Sequence, residues 1–479
     1  MNSPFDERKY KRLLKGLELT ELLLSDFLTD NIDFRLDAEY FSKKNIELNN
    51  QLDRTGFIRI NDFAFVTDGI HSSIDYSEES SIKLVSATTP RENYFDFSRN
   101  VFISKKAHLL NPRTALKIRD IVISTVGTIG NCAVIKSSDL PANSDRHVGI
   151  IRIKNKRFLP NYVSTFLLSK YGRFQTFRES TGNVQLNLFI YKIKTLKIAA
   201  LPLAFQKKIE KIVELAHSKL EQSQSLYCQA EELLLKNIGL KDFKPSKKAS
   251  NVKSFKESFL KTGRLDAEYY QPKYDFIEST FDKFDRVTLS DIVSYPISSG
   301  ITPKAGGADY TDAENGIPFI RAVDLVNGEV NANNFNYIKP NVHNGILKRT
   351  QLKKDDVLFS IAGTVGRCAI FQHEFEANIN QAVAILRFNE AKVLKLYLIA
   401  FFNSYIGKEF VSKYARQGLQ TNLNLEEVGA LKIPVIDLKI QRQITAVIKE
   451  SFSLRKESEK LLDKAKEMAE REIEGRDSK

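Results

Sequence analysis

The same phrases occur twice in this chain. Phe34-Arg-Leu-Asp-Ala-Glu-Tyr-Phe41 returns as Gly263-Arg-Leu-Asp-Ala-Glu-Tyr-Tyr270. Ile121-Val-Ile-Ser-Thr-Val-Gly-Thr-Ile-Gly-Asn-Cys-Ala-Val-Ile135 is answered by Val357-Leu-Phe-Ser-Ile-Ala-Gly-Thr-Val-Gly-Arg-Cys-Ala-Ile-Phe371. Leu186-Asn-Leu188 matches Leu423-Asn-Leu425, and Leu196-Lys-Ile198 matches Leu431-Lys-Ile433, with Gln206 and Gln441 following in step. Four landmarks in one order at nearly constant separation identify a tandem duplication. Whatever one half folds into, the other half must fold into as well.

The repeat ends each time in a stretch that reads as a long helix. Residues 203–235 contain no Pro and no Gly, and a seam of apolar or small residues falls at Ile209, Val213, Ala216, Leu220, Ser223, Tyr227, Ala230 and Leu234. Residues 438–473 carry a second seam at Ile440, Ile444, Val447, Ser451, Leu454, Ser458, Leu461, Ala465 and Met468. Steps alternating four and three predict a helix packed along a partner helix. Each helix spans on the order of 50 Å at 1.5 Å per residue, and the two are expected to pair as an antiparallel coiled coil. Ser451 and Ser458 predict looser packing at those levels. Residues 231–240 resemble residues 11–19 more than anything after the second helix, so the start of the chain reads as the continuation of its end. That circular arrangement is expected if the helices are antiparallel and the termini meet.

These boundaries divide the chain into an N-terminal helical joint region (1–44), a globular segment (45–200), the central helix (201–240), a Lys- and Ser-rich linker with a second joint (241–274), a second globular segment (275–435) and the C-terminal helix (436–479). Residues 10–28 carry a helical leucine pattern. Within the globular segments, apolar runs at 121–123, 132–135, 148–153, 357–359, 368–371 and 382–388 predict strands, and 160–177 and 393–414 predict helices. The expected fold class is mixed α/β: two similar domains related by an internal pseudo-two-fold repeat.

Composition bounds the function. With 479 residues, 42% apolar and 27% charged, the chain has the makeup of a globular protein. No apolar run approaches the ~20 residues that cross a bilayer, and the N-terminus is too polar for a secretory signal. Cys132, Cys228 and Cys368 show no metal-ligand spacing and read as reduced thiols of a cytoplasmic protein. A net charge of +13 suits a polyanionic partner.

Catalytic signatures are missing: no phosphate-binding G-x-x-x-x-G-K-[ST], no H-E-x-x-H, no G-x-S-x-G, no Pro-Pro and no paired histidine spacing. Asp37 with Glu39, and Asp266 with Glu268, look like paired carboxylates. Each pair recurs beside Arg35 and Tyr40, or Arg264 and Tyr269, and such a repeated phrase reads as a structural joint between helix and domain. The Gly127-Thr-Ile-Gly130 and Gly363-Thr-Val-Gly366 segments predict hairpin turns whose glycines adopt positive φ. Backbone amides there, with Ser124, Thr125 and Thr128 or Ser360, Thr364 and Arg367, are candidates to approach phosphate. Where the copies differ, polar loops stand opposite each other: Thr67, His71, Ser72 and Arg91 against Ser299, Thr302, Lys304 and Arg321. With the basic pair Lys105 and Lys106 they are the candidates for contacting DNA.

With its two R-L-D-A-E-Y phrases, two S-x-x-G-T-[IV]-G segments, L-N-L…L-K-I approaches and two long helices, the chain resembles the specificity (S) subunit of Type I restriction–modification enzymes over essentially its whole length. The resemblance implies two target-recognition domains, each reading one half of a split double-stranded DNA sequence, with the helices fixing their separation. It implies a non-catalytic chain that holds two modification (methyltransferase) subunits. Those partners would carry S-adenosylmethionine and methylate adenine, and restriction (motor–nuclease) subunits would join for cleavage. No cofactor or metal is expected on this chain. The differing recognition segments imply an asymmetric target. A two-headed DNA- or protein-binding adaptor without any methyltransferase is the alternative.

Overall fold

The duplication is present strand by strand. The computed structural model describes residues 6–15, 21–28, 31–98, 100–182, 185–245, 250–304, 307–332, 335–416 and 421–475. Part of the 11–19 stretch and part of the 241–258 linker lie outside them. The chain divides into two compact units, Met1–Glu221 with Arg455–Lys479, and Gln222–Leu454.

In the first unit an antiparallel sheet runs in the order Ala64–Asp68, Val148–Ile153, Ile121–Ser124, Cys132–Val134. A second sheet orders Val101–Ile103, Ile82–Val85 and Ala142–Ser144, the last two parallel. Phe57–Arg59 pairs with Lys197–Ala199 and ties the two ends of the globular part together. The second unit repeats this order with Ser298–Ser299, Val383–Leu386, Val357–Ser360 and Cys368–Ile370, extended by Glu329–Val330 and Leu325–Val326. Its other sheet contains Asn336–Ile338, Ile317–Ile320 and Asn378–Ile379, again with the last pair parallel. Asp285–Thr288 and Lys432–Val435 form the closing tie. Every residue of Ile121–Ser124 and Val357–Ser360 is buried, as expected of strands covered on both faces.

The helices predicted over 160–177 and 393–414 are each two helices. Pro160–Leu168 and Lys170–Glu179 meet at Ser169, and Lys395–Asn403 and Tyr405–Tyr414 meet at Ser404. Both serines are extended, with ψ of 168° and 160°. The second helix of each pair folds back so closely that a Cβ on Gly172 would lie 2.3 Å from the Leu167 backbone, and one on Gly407 1.8 Å from the Phe401 carbonyl oxygen. The leucine pattern over 10–28 likewise gives two short helices, Glu7–Leu14 and Leu24–Leu28, with residues 16–20 outside the described residues.

The long helices run Leu203–Asn237 and Leu438–Ile473, close to the predicted spans. They are antiparallel in both units. In the first unit, Ser458 Oγ–H donates to the Ala216 carbonyl at 2.7 Å and Lys219 pairs with Glu457 at 2.6 Å. In the second, Ser451 Oγ–H donates to the Ser223 carbonyl at 2.8 Å, with the two hydroxyl oxygens 3.0 Å apart. Ser223, Ser451 and Ser458 are all buried. The expectation of looser packing is therefore corrected: the small side chains allow close approach, and their hydroxyls spend themselves on the facing helix. The C-terminal seam is also rotated from the predicted one. Ile444, Ile448, Leu462, Ala465, Ala469 and Ile473 are buried, whereas Ile440, Val447, Leu454, Leu461 and Met468 are half-buried. A helix that must cover a globular core as well as a partner needs a wider stripe than a strict coiled-coil seam.

Gln206 and Gln441 bolt each helix to its domain. Gln206 Oε1 accepts from Leu159 N at 2.9 Å, and its Nε2 donates to the Arg157 and Leu201 carbonyls at 3.1 and 2.9 Å. Gln441 makes the same three bonds, with Leu394 N and the Lys392 and Ile436 carbonyls, at 2.9, 3.0 and 2.9 Å. Both amides are buried. Gln206→Ala or Gln441→Ala leaves buried backbone groups unpaired, so each should cost about 1–3 kcal/mol, checked by urea unfolding. The thiols give a second test. Cys132 and Cys368 are buried and Cys228 is exposed, and burial pushes the Cys132 thiol up to about 12. A colorimetric thiol reagent should therefore titrate one thiol rapidly in the native protein and all three after denaturation.

Candidate nucleic-acid interface

A buried amide organises the polar loops of each unit. Asn143 Oδ1 accepts from Thr114 Oγ1 at 2.6 Å and from Ser144 N at 2.9 Å, while its Nδ2 lies 3.3 Å from both the Asn111 carbonyl and His108 Nδ1. Asn378 repeats this set with Thr350, Ile379 N, the Leu347 carbonyl and His343 Nδ1, at 2.6, 3.0, 2.9 and 3.2 Å. The amide's capacity is filled in both copies, which suits a residue with no exposure. Burial lowers the pKa of His343 from its ordinary value, so the neutral ring serves as acceptor. Beside each node sits a forked ion pair, Arg152 with Asp120 (2.7 and 2.6 Å) and Arg387 with Asp356 (2.6 and 2.7 Å).

Four loops converge around the first node: 67–71, 86–91, 124–130 and 145–147. Ser124 Oγ and Thr128 Oγ1 both donate to the Ala87 carbonyl, at 2.7 and 2.8 Å. Thr125 N donates to the His147 carbonyl at 3.0 Å. Ile70 bridges to Asp145, with Gly69 so close that a Cβ there would lie 2.0 Å from the Asp145 carbonyl oxygen. In the second unit Ile361 N donates to the Ala382 carbonyl at 2.8 Å, and Thr302 Oγ1 accepts from Gln381 N at 3.3 Å. Gly127, Gly130, Gly363 and Gly366 have φ of 70°, 77°, 76° and 87°, the positive values expected of the two hairpin turns.

Most of the side chains singled out above fall on these loops, though several are already engaged. Thr67 is buried and its hydroxyl accepts from Arg113, which also pairs with Asp68 at 2.8 Å. His71 contacts Asp68 at 2.5 Å, and Ser72 is exposed beside it. Arg91 pairs with Asp96 at 3.1 Å. Thr125 is buried. Arg321 forms a fork with Asp324 at 3.1 and 3.0 Å. Ser360 Oγ donates to the Thr364 carbonyl at 2.5 Å and accepts from Arg367 N at 2.8 Å. Ser299 is half-buried in its strand, while Thr302, Lys304 and Thr364 are exposed. Lys105 and Lys106 are exposed on the first turn of Lys105–Leu110, outside the four loops. Arg113, Arg146 and Gln381 also belong to this rim and carry no motif. Aligning the copies position by position, rather than phrase by phrase, is what would have found the last two.

The repeated R-L-D-A-E-Y phrase forms a joint in both units. Arg35 forks onto Asp37 at 2.7 and 2.9 Å and donates to the Arg178 and Ser180 carbonyls at 2.5 and 3.2 Å. Its guanidinium lies 5.0 Å from the centroid of the Tyr40 ring. Arg264 forks onto Asp266 at 2.8 and 2.6 Å, donates to the Tyr414 and Ala415 carbonyls, and lies 4.6 Å from the Tyr269 centroid. Glu39 and Glu268 are exposed. The first joint is further clamped by Lys192, which is buried between Asp33 and Glu179, 2.8 Å from each. Tyr40 O–H donates to Glu179 at 3.0 Å.

Hydrogen bonds from Arg35 and Arg264 hold the Asp37 and Asp266 carboxyls below the usual carboxylate range. A depressed carboxylate contributes stability that is present above its unfolded pKa and lost as pH falls through the folded one. The wild-type joints should therefore loosen below about pH 4. The Asp37→Asn, Asp266→Asn double variant should lose that part of the pH dependence, as read by urea midpoints at pH 7 and pH 3.

Among the described residues no group of three or more His, Cys, Asp or Glu side chains is placed to hold a metal ion, and no helix is long and apolar enough to cross a membrane.

Residues 282–464 match the family model described as the Type I restriction modification DNA specificity domain. A curated relative, the Type I restriction enzyme EcoBI specificity subunit of Escherichia coli, is 25% identical over 154 residues, which is 32% of this chain and 32% of that protein. The match thus spans about a third of the relative's length. Among solved structures, the Type-I restriction-modification system S subunit from M. genitalium is 14% identical, with 86% of this chain and 95% of that one covered and a TM-score of 0.39. The HsdS subunit from Thermoanaerobacter tengcongensis is 13% identical, with 88% and 97% covered and a TM-score of 0.27. The chain is thus similar to the specificity subunits of Type I restriction–modification enzymes: the matched domain lies in its second half, and its first half repeats the same phrases.

Proposed function

We propose that this chain reads a bipartite, asymmetric double-stranded DNA sequence and holds the modification subunits that act on it, contributing no reacting group of its own. The observation that carries this reading is one polar-loop scaffold built twice, with the same buried amide node and different side chains on its rim. Reading two different half-sites requires a constant frame with a variable surface. The excess of basic residues, 72 Lys and Arg against 59 Asp and Glu, supplies attraction to phosphate.

Two modification subunits would dock at the joints and long helices and bring S-adenosylmethionine and adenine-methylating chemistry. The apolar side chains left in water there support this. Leu36 and Leu265 stand at equivalent places with exposures of 81% and 65%, and an aliphatic side chain that open is available to a partner. The helices would set the distance between half-sites, and motor–nuclease subunits would join for cleavage.

The purified chain with its modification subunits should methylate adenine at a single two-part motif, read genome-wide by modification-sensitive sequencing. Exchanging residues 45–200 for those of another family member should change one half of the motif only. An unchanged motif would refute the reading, and DNA or protein binding without any methyltransferase partner would favour the two-headed adaptor. Lys105→Ala with Lys106→Ala should weaken binding across all sequences and flatten the salt dependence by about one unit of slope per lost phosphate contact.

A further inference from the structure

The tight turn after the buried asparagine is the same in both units except for what it displays. Asp145 N donates to the Val85 carbonyl and Asn380 N to the Ile320 carbonyl, each at 3.0 Å. Asp145 Oδ1 accepts from His147 N at 2.9 Å, and Asn380 Oδ1 accepts from Ala382 N at 3.1 Å. The third residue of each turn gives its carbonyl to the strand leading into the glycine hairpin, through Thr125 N or Ile361 N. The strand registers Leu84 to Asn143 and Phe319 to Asn378 put the two turns in step with no gap. The middle residue is therefore held by bonds made on either side of it, and its side chain is left exposed: Arg146 in one unit, Gln381 in the other.

We propose that Arg146 and Gln381 are the paired base-reading residues of the two recognition domains, Arg146 selecting a guanine in one half-site and Gln381 an adenine in the other. This rests on the DNA-reading function proposed above. The chemistry follows from the two side chains. A guanidinium presents two parallel N–H donors that match guanine O6 and N7, and a carboxamide presents one acceptor and one donor that match adenine N6 and N7. A rigid turn suits such pairing because a bidentate contact tolerates little wobble. His147 serves as a positioning residue. Its Nδ1 lies 3.2 Å from Asp145 Oδ2 and its Nε2 3.5 Å from Arg146 Nε, so the ring steadies the inner nitrogen of the guanidinium while its outer nitrogens remain for the base. Ala382 stands at the equivalent place in the second unit, where the shorter glutamine is supported through its backbone, with Gln381 N donating to Thr302 Oγ1 of the neighbouring loop.

The test is selection from a randomised-sequence duplex library by the full chain, alone and with co-purified modification subunits, followed by sequencing. Arg146→Gln should shift one position of one half-site from guanine toward adenine, and Gln381→Arg should do the reverse at one position of the other half-site. Each shift should be about ten- to hundredfold in relative preference. Arg146→Lys, which keeps the charge but loses the fork, should lose the guanine preference, and His147→Ala should blunt it without moving it elsewhere. Thermal unfolding should be unchanged in all four, since these side chains lie on the rim. If wild type enriches a two-part motif and the exchanges leave every base preference as it was, or weaken binding equally for all sequences, the assignment of these residues is wrong while DNA reading stands. If wild type enriches no motif in either condition, the DNA reading falls, and this inference with it.

Discussion

A helix with an apolar stripe running its full length cannot bury that stripe in water, and a single domain of this size offers it only about half the cover it needs. Leu203–Asn237 and Leu438–Ile473 each meet that constraint by contributing to both compact units. Ile209, Val213 and Ala216 of the central helix share a core with Leu462, Ala465 and Ile473 of the C-terminal one. Ala230, Leu234 and Ile238 share another with Ile444 and Ile448. Each unit is thus completed by a segment from the other copy of the repeat. Neither copy closes its core from its own sequence, so duplication and helix pairing are one constraint rather than two. The serines at 223, 451 and 458 fit the same logic. Where two backbones approach, a hydroxyl that bonds across the seam costs less space than leucine and leaves no polar atom unpaired.

The helix termini carry that constraint into the domains. Gln206 and Gln441 each saturate three backbone groups at the junction of helix and sheet. Their amides pin the helix to the loop that precedes Pro160 or Lys395, and Tyr162 and Tyr397 add matching bonds to the Ala199 and Pro434 carbonyls at 2.7 and 2.6 Å. Rotation of a helix against its domain would break these bonds together. The joint residues Arg35 and Arg264 act in the same way at the other end, fastening a short segment to the helix pair that ends at Glu179 or Tyr414.

Much of this was legible in the sequence because it is periodic or repeated. The long helices, the fully apolar strands and the glycine hairpins each follow from a local pattern that tertiary contacts reinforce. The breaks at Ser169 and Ser404 were not legible, since a stretch with no internal proline reads as one helix and the fold-back is imposed by close contact at Gly172 and Gly407. Nor were the amide nodes. His108, Thr114 and Asn143 look unrelated along the chain, and His343, Thr350 and Asn378 equally so; only the folded side-chain hydrogen bonds bring each trio together. On the rim, residue type pointed to polar loops, but type alone could not separate Arg91 and Arg321, whose guanidiniums face their own carboxylates, from side chains left to face outward. That distinction lives in the folded geometry.

The division between a fixed node and a variable rim has a simple energetic origin. Asn143 and Asn378 are fully buried and hold four groups each, so any substitution there strands donors and acceptors at a cost of about 1–3 kcal/mol apiece. At 146 and 381 the scaffold is made by main-chain bonds from the flanking residues, and an exposed side chain can change at a cost within about 0.5 kcal/mol. The aspartate at 145 and the asparagine at 380 show where the line falls. Both offer the same oxygen to the turn's amide, so the charge can be exchanged while the acceptor cannot be lost. A fold arranged in this way lets two copies of one domain diverge in what they display while remaining the same in how they stand.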